Sequence, residues 1–396
     1  MVATETGVKA VRCARPRGRW VPALVLSAIA SAALAPVVRG ATLPEDRADL
    51  MYHRYKGGGL TVDGPAVLVR QSMSDKVSVW GSYYVDAVTS ASVDVMTTAS
   101  PYEERRDEWS AGTDFVVDDT SMGFSYTKSD EDDYAARTAR FGISQSFFGD
   151  LTTVGIAYSR GWDTVMKRGD ETFEKAVDHR TYRVDVAQVL TRSFVVSLNY
   201  EAVSDEGFLN NPYRSVRFAD SSAGRGFSFE RELYPHTRTS DALALRTKYY
   251  LPYRAALGAE FRHYQDTFGV VSNDVSIDYS HPLESGWLFE ARYRYYKQDA
   301  ADFYSDLFPR ANAQNFLARD KELSTFDSHT LGLGVSYDFA KGRLPWVDSG
   351  RLSVQADFMR ISYDDFRDVT RGGTAGAEPL YELDALILRA FGAVFF

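Results

Sequence analysis

Apolar and polar side chains change places at nearly every step of this chain. Phe194, Val196, Leu198, Tyr200 and Ala202 interleave with Val195, Ser197, Asn199 and Glu201. Leu243, Leu245, Thr247, Tyr249 and Leu251 interleave with a set that includes Arg246 and Lys248. Trp287, Phe289, Ala291, Tyr293 and Tyr295 alternate with Glu290, Arg292 and Arg294, and Leu331 to Phe339 repeats the rhythm around Asp338. In a strand successive side chains point to opposite faces, so a period of two separates an apolar face from a polar one. A helix would scatter the same charges round its axis and own no apolar face. The chain reads as strands throughout.

The connections alternate as well. Short turns are expected at Ser74-Asp75-Lys76, Asp118-Asp119-Thr120, Phe148-Gly149-Asp150, Leu190-Thr191-Arg192, Leu251-Pro252-Tyr253 and Pro282-Leu283-Glu284. Between them lie longer polar stretches at about 88–108, 129–134, 162–178, 204–239, 298–326 and 364–380, with a short exception near Asp266-Thr267-Phe268. Tight turns on one side and long loops on the other describe an up-and-down barrel. Fifteen strands fall between Pro65 and Phe396. Residues 49–56 add one more, joined through Gly57-Gly58-Gly59 and Asp63-Gly64-Pro65. The expectation is an all-β, transmembrane, antiparallel barrel of about 16 strands, with 14 as the alternative count. The 24 Tyr, 24 Phe and 6 Trp suit aromatic girdles, and Tyr83-Tyr84, Tyr249-Tyr250 and Tyr295-Tyr296 are placed there.

Both ends carry signals of export. Lys9, Arg12, Arg15, Arg17 and Arg19 precede an apolar run from Val21 to Pro36, and Val38-Arg39-Gly40 offers a cut before Ala41, so residues 1–40 read as a signal peptide and 41–396 as one barrel domain. Removing them takes six basic residues and one acidic residue, leaving 39 against 53, a formal charge of −14. A nucleic-acid partner, which needs a clustered basic face, is not expected. The one cysteine, Cys13, leaves with the signal, so neither disulfides nor thiolate metal ligands are expected. The last strand runs Leu386, Leu388, Ala390, Gly392, Val394 to a terminal Phe396, the kind of end that outer-membrane barrels present to their assembly machinery.

Several segments resemble a bacterial envelope family, domain of unknown function 3570. They are Tyr52-His53-Arg54-Tyr55 with Gly57-Gly58-Gly59 and Val62-Asp63-Gly64-Pro65; Ser90 to Val95 running to Ala99-Ser100-Pro101-Tyr102-Glu103-Glu104-Arg105; Ser129 to Tyr134; Asn211-Pro212-Tyr213-Arg214; and Arg319 to Ser324. The resemblance implies an outer-membrane-type barrel and no established activity. It also implies possible periplasmic partners, a flavin-transfer protein and a small lipoprotein of an envelope redox system.

Candidate functional residues fall into four groups. Asp130, Glu131, Asp132 and Asp133 are consecutive carboxylates of the kind that binds a hard divalent cation, against the plainer reading of a solvated acidic loop. The stretch Ser90 to Arg106, with Asp94, Tyr102, Glu103, Glu104 and Arg105, is long enough to fold into a barrel mouth and set its selectivity. Arg319-Asp320-Lys321-Glu322 is read as internal ordering of a long loop. The charges on the polar strand faces are Asp86, Glu201, Arg246, Lys248, Glu260, Arg262, Glu290, Arg292, Arg294, Asp338 and Arg389. Facing lipid, each would cost about 2–4 kcal/mol, so they must face a lumen. Asp178-His179 and His263 are the only hydrolase-like pieces, without a partner motif, and neither enzyme activity nor a cofactor is expected. The functional expectation is a Gram-negative outer-membrane channel for small solutes or a barrel scaffold. A sheath for a flavin-linked redox system and a surface hydrolase are the alternatives.

Overall fold

The computed structural model describes residues 41–90, 102–339 and 347–396. The expected signal at 1–40 and Asp94 lie outside the described residues, and Ser90, Tyr102 and Glu103 are described in their backbone alone. The strands are β1 (Arg47–Gly57), β2 (Leu60–Ser74), β3 (Val77–Ser90), β4 (Tyr102–Val117), β5 (Thr120–Asp130), β6 (Tyr134–Phe147), β7 (Thr152–Met166), β8 (Glu174–Thr191) and β9 (Phe194–Gly207). They continue with β10 (Ser215–Ala219), β11 (Phe227–Arg231), β12 (Thr237–Tyr250), β13 (Ala256–Asp266), β14 (Val271–Pro282), β15 (Trp287–Gln298), β16 (Phe326–Phe339), β17 (Ser349–Arg367) and β18 (Leu380–Phe395).

Sixteen of these close into one antiparallel barrel, each strand beside its neighbours in sequence, with β1 paired to β18 from Arg47↔Phe395 to Gly57↔Ala385. The expected count holds, and residues 47–57 supply the sixteenth strand. The hairpin β10–β11 stands outside the barrel, inside the β9–β12 connection, and nothing in the alternation announced it. One rim carries the short turns and the other the long connections: 131–133, 167–173, 208–236, 267–270, 299–325 and 368–379. These are termed the turn rim and the loop rim.

The pleat sorts side chains as the sequence predicts. Leu243, Leu245, Phe289, Leu331, Leu333, Leu352, Val354, Leu386 and Leu388 face outward and stand exposed, Leu333 at 60%. The doubled tyrosines obey the same rule and correct the girdle expectation, because adjacent residues cannot share a face. Tyr83 is outward, while Tyr84 faces inward and stacks on His53, with ring centroids 5.0 Å apart and planes 3° from parallel. Interior apolar contact gathers at the loop rim, where Tyr55, Val62, Val88, Tyr363, Phe366, Tyr381 and Leu383 form a cluster on the inner face of β1–β3, β17 and β18.

The β1–β2 connection is tighter than expected. Gly58 and Gly59, at φ 56° and 78°, make a two-residue turn of the kind that needs left-handed backbone, and Asp63-Gly64-Pro65 lies within β2. Pro65 has no N–H, and the β2–β3 ladder skips Gly64 and Pro65 before resuming at Ala66↔Tyr84. There β3 lies so close that a Cβ on Gly64 would stand 1.9 Å from the Val85 carbonyl oxygen. Gly64→Ala is expected to destabilise the barrel by about 1–3 kcal/mol through overpacking, read as a lower urea midpoint for the folded, heat-modifiable band on gels.

Candidate functional site

Cross-strand register turns the inward charges into a lattice of ion pairs. Arg183 stands opposite Glu201, and Arg246 opposite Glu260, and both pairs are closed. Arg262 approaches Glu201 at 4.0 Å, Arg294 pairs with Asp274, and Arg351 pairs with Asp338 at 2.5 Å. Two glycines let pairs form across an intervening strand. Gly258 lies in register between Lys248 and Asp278, which meet at 3.8 Å, and Gly332 lies between Arg292 and Asp357, which meet at 2.8 Å. A Cβ on either glycine would collide with the carboxylate, 2.1 Å from an oxygen in each case. Asp357 also takes Arg389. The expected lumen residues Glu201, Arg246, Lys248, Glu260, Arg262, Glu290, Arg292, Arg294, Asp338 and Arg389 all face inward. Their partners Arg183, Asp274, Asp278, Arg351 and Asp357 went unnamed at the level of sequence, although the same alternation assigns them. Several of these side chains are substantially exposed to the interior, Lys248 at 60%.

The wall at β1–β4 is drier. Asp86 and His53 are buried, joined from Asp86 Oδ1 to His53 Nε2 at 2.7 Å, and the Tyr84 hydroxyl lies 3.1 Å from the same nitrogen. Toward the turn rim of the same wall Arg70 pairs with Asp114.

Three loops interlock over the loop rim. In the 208–236 connection the backbone of the β10–β11 hairpin bonds the 299–325 loop, with Ala219 N donating to Phe308 O at 2.8 Å and Phe308 N to Arg217 O at 2.9 Å. Leu233 and Leu317 exchange both N–H···O bonds, at 2.9 and 2.7 Å. Arg217 is fully buried: its Nε donates to Asp306 O at 2.8 Å and its guanidinium also pairs with the carboxylates of Asp306 and Glu378, the latter from the 368–379 loop. Arg319 donates to Asp306 Oδ1 at 3.1 Å and to Arg367 O at 2.9 Å. Asp320 caps the 3₁₀ turn Lys321–Leu323 and pairs with Arg214. Leu323 of that turn packs with Tyr234, Phe268 and Phe303 against Tyr264 of β13, and Gln298 Nε2 of β15 donates to Glu322 O at 2.9 Å. The reading of Arg319 to Glu322 as internal ordering therefore holds in part, since Arg214, Glu232, Gln298 and Arg367 partner it from other segments. Among the described residues the 299–325 loop covers the mouth. Of the stretch Ser90 to Arg106, residues 91–101 lie outside the described residues; at its ends Tyr102 and Glu103 pair with Ser90 and Thr89, and Arg105 is outward and exposed, bound to Asp107 at 2.8 Å.

The acidic run divides by the pleat. Asp130 turns outward to Lys128 at 2.6 Å, and exposed Asp132 pairs with Arg168. Glu131 and Asp133 turn in and meet Glu104 of β4, with one carboxylate oxygen from each of the three lying within 4.8 Å of the others. Burial, then the charges of Asp133 and Glu131, pushes Glu104 up to about 8 against the pull of Arg168. Burial also raises Glu131, to about 7, although Arg106 opposes it. Asp178 and His179, adjacent in sequence, point to opposite faces. Asp178 binds Arg160 and Arg180 outside, while His179 sits inside between Asp163 at 3.1 Å and Asp205 at 2.7 Å. Burial would lower the His179 pKa, but those two carboxylates carry it up to about 10. His263, half-buried on the outer face, bonds Asn273 at 3.0 Å.

The sequence of residues 78–348 matches a family described as a protein of unknown function (DUF3570). The chain belongs to this family. The DUF3570 barrel matches no curated protein sequence. Among solved structures it is similar to a bacterial polysaccharide outer membrane secretin (9% identity, 89% of this chain and 100% of that one, TM-score 0.47). It is also similar to Pseudomonas aeruginosa OpdK with vanillate (8%, 90% and 100%, 0.43) and to a Pseudomonas aeruginosa FadL homologue (11%, 89% and 91%, 0.41).

Two outcomes are expected of the DUF3570 barrel's loop rim. Arg217→Ala strands Asp306 and Glu378 without their buried partner and should lower the local opening free energy of 299–325 by about 3–5 kcal/mol, measured by hydrogen exchange. The acidic trio should make this rim pH-dependent. Carboxylates held near 8 and 7 when folded, against 4.5 when unfolded, contribute stability that is full below 4.5 and lost as pH rises through 7 to 8. Hydrogen exchange in β4–β5 should accelerate over that interval, and Glu104→Gln should flatten the profile.

Proposed function

We propose that this DUF3570 chain is a bacterial outer-membrane barrel that conducts small polar solutes, gated at the loop rim and without enzymatic activity. The membrane reading rests on the outward face: a band of exposed Leu, Val, Ile and Phe around a closed sheet is stable only against hydrocarbon. The observation that carries the conducting role is the lattice of opposite charges, partly exposed to the interior, on the inner faces of β8–β17. An interior meant only as a solid core would gain more from close-packed apolar side chains, whereas paired charges keep a polar, wettable wall without a one-sign field. The interlocked loops supply a closure over that lumen. The non-catalytic reading is supported by His179, which two carboxylates hold on the opposite face from Asp178, and by His263, which faces outward.

Incorporation into planar bilayers tests the role. Small conductance steps with weak cation–anion preference are expected, and Arg217→Ala should raise the mean conductance by loosening the cap. Silence of both proteins, with insertion verified by protease protection, would discard conduction and leave a scaffold.

A further inference from the structure

The inner faces of β5, β6 and β7 interrupt the lattice of ion pairs. Phe124, Phe141 and Tyr158 point outward, so the pleat turns Ser125, Arg140 and Ser159 into the lumen, in register with Thr181 of β8. The next row toward the turn rim is Gly123, Gly142, Ala157 and Arg183, and the next row toward the loops is Thr127, Thr138, Gly161 and His179. This patch of three rows on four strands holds three cationic groups and no carboxylate. Two of the three have partners from beyond its edge. Arg183 meets Glu201 of β9, and His179 lies between Asp205 of β9 at 2.7 Å and Asp163 at 3.1 Å. The other carboxylates at the margin are engaged too, Asp114 by Arg70 and Asp185 by Asn199. Arg140, half-buried, has no hydrogen-bonding or ionic partner among the described residues, and neither have the hydroxyls of Ser125, Ser159, Thr138 and Thr181 around it. An arginine stays charged at any ordinary pH, so its donors have to be met from the lumen.

We propose that Arg140 binds the carboxylate of a small organic acid in transit, and that the solutes of this barrel are accordingly monoanions. A free guanidinium fork takes both oxygens of a carboxylate. Ser125 and Ser159 stand directly opposite Arg140 on the two neighbouring strands, with Cβ atoms about 4.5–5.5 Å away, close enough to donate to the same oxygens. Gly142 and Ala157 keep the wall between Arg140 and Arg183 clear of bulk. Arg183 lies two strands from Arg140, roughly 10 Å across the sheet, so an anion released by one guanidinium comes within reach of the next. The carboxylates at the margin, Asp114, Asp163, Asp185, Glu201 and Asp205, leave the wall as a whole without excess positive charge. They set the limit at one negative charge and disfavour a dianion. The inference rests on the conducting role and names the class of solute that role serves.

Ligand-detected NMR of the detergent-solubilised barrel tests the site, with benzoate, neutral benzamide and cationic benzylammonium as probes of one shape. Benzoate alone is expected to bind. Arg140→Gln should weaken it about 10-fold, and Arg140→Lys, which keeps the charge and loses the fork, about 3-fold. Arg360→Gln, an outward cation paired with Asp384, should leave it unchanged. Equal binding of benzamide, or unchanged binding of benzoate by Arg140→Gln, overturns the proposal. Displacement of benzoate by equimolar chloride or sulfate would mark a general anion site and overturn the carboxylate assignment. Planar-bilayer recordings separate this inference from the reading beneath it. Under a sodium benzoate gradient the reversal potential should have the sign of anion passage, and Arg140→Gln should abolish that preference. Conductance without such a difference overturns the inference and leaves the channel standing. Benzoate binding to a barrel that never conducts upholds the site and overturns the passage of monoanions through it. Arg140 leaves no partner stranded when replaced, and heat-modifiable migration reports that each variant is folded.

Discussion

The closure of β1 on β18 is the constraint from which the rest follows. An open sheet of this length would leave two strands of unpaired N–H and C=O groups, intolerable in hydrocarbon and prone to pair with other chains in water. Once the ring is shut, every strand has one face outside and one face inside, and the pleat allows no third choice. A single-residue slip of β12 would carry Arg246 to the outer surface and Leu245 to the lumen, and one of β15 would do the same to Arg292 and Phe289. Each cross-strand charge pair therefore also guards the register of its two strands.

Inside, the charges divide the work. On β8–β17 they pair flat against the wall, helped by Gly258 and Gly332, which remove the Cβ that would separate cation from anion. Toward the loop rim the pairs become buried and longer in sequence reach. Arg217 joins three loops in one site, and a buried charge of this kind is worth little for stability alone yet forbids alternative loop arrangements, since any other arrangement strands it. The wettable lumen and the locked cap thus use the same chemistry at different burial.

Legibility in the sequence followed how local each determinant is. The alternation at Trp287 to Tyr296 placed Glu290, Arg292 and Arg294 inward, because two-residue periodicity needs no knowledge of partners. The same periodicity sets Asp178 and His179 on opposite faces and splits Tyr83 from Tyr84, implications that were not drawn from the sequence. The strand of residues 47–57 was visible, whereas Gly64-Pro65 misled because turn-forming residues are also tolerated where a ladder skips. The cap was illegible: Arg217, Asp306 and Glu378 lie far apart in sequence and carry no motif. The third acid of the rim trio, Glu104, was seen only as part of a presumed loop.

The amino-acid order alone settled what each barrel strand shows to either side, which rim bears the loops and, between 16 and 14, about how many strands the barrel has, because these depend on residues a few positions apart. Only the tertiary structure decided how the 208–236, 299–325 and 368–379 loops interlock and which carboxylate each guanidinium meets. Those outcomes depend on inter-strand register and on contacts between distant loops, quantities set by the closing of the whole ring and encoded in no short stretch of it.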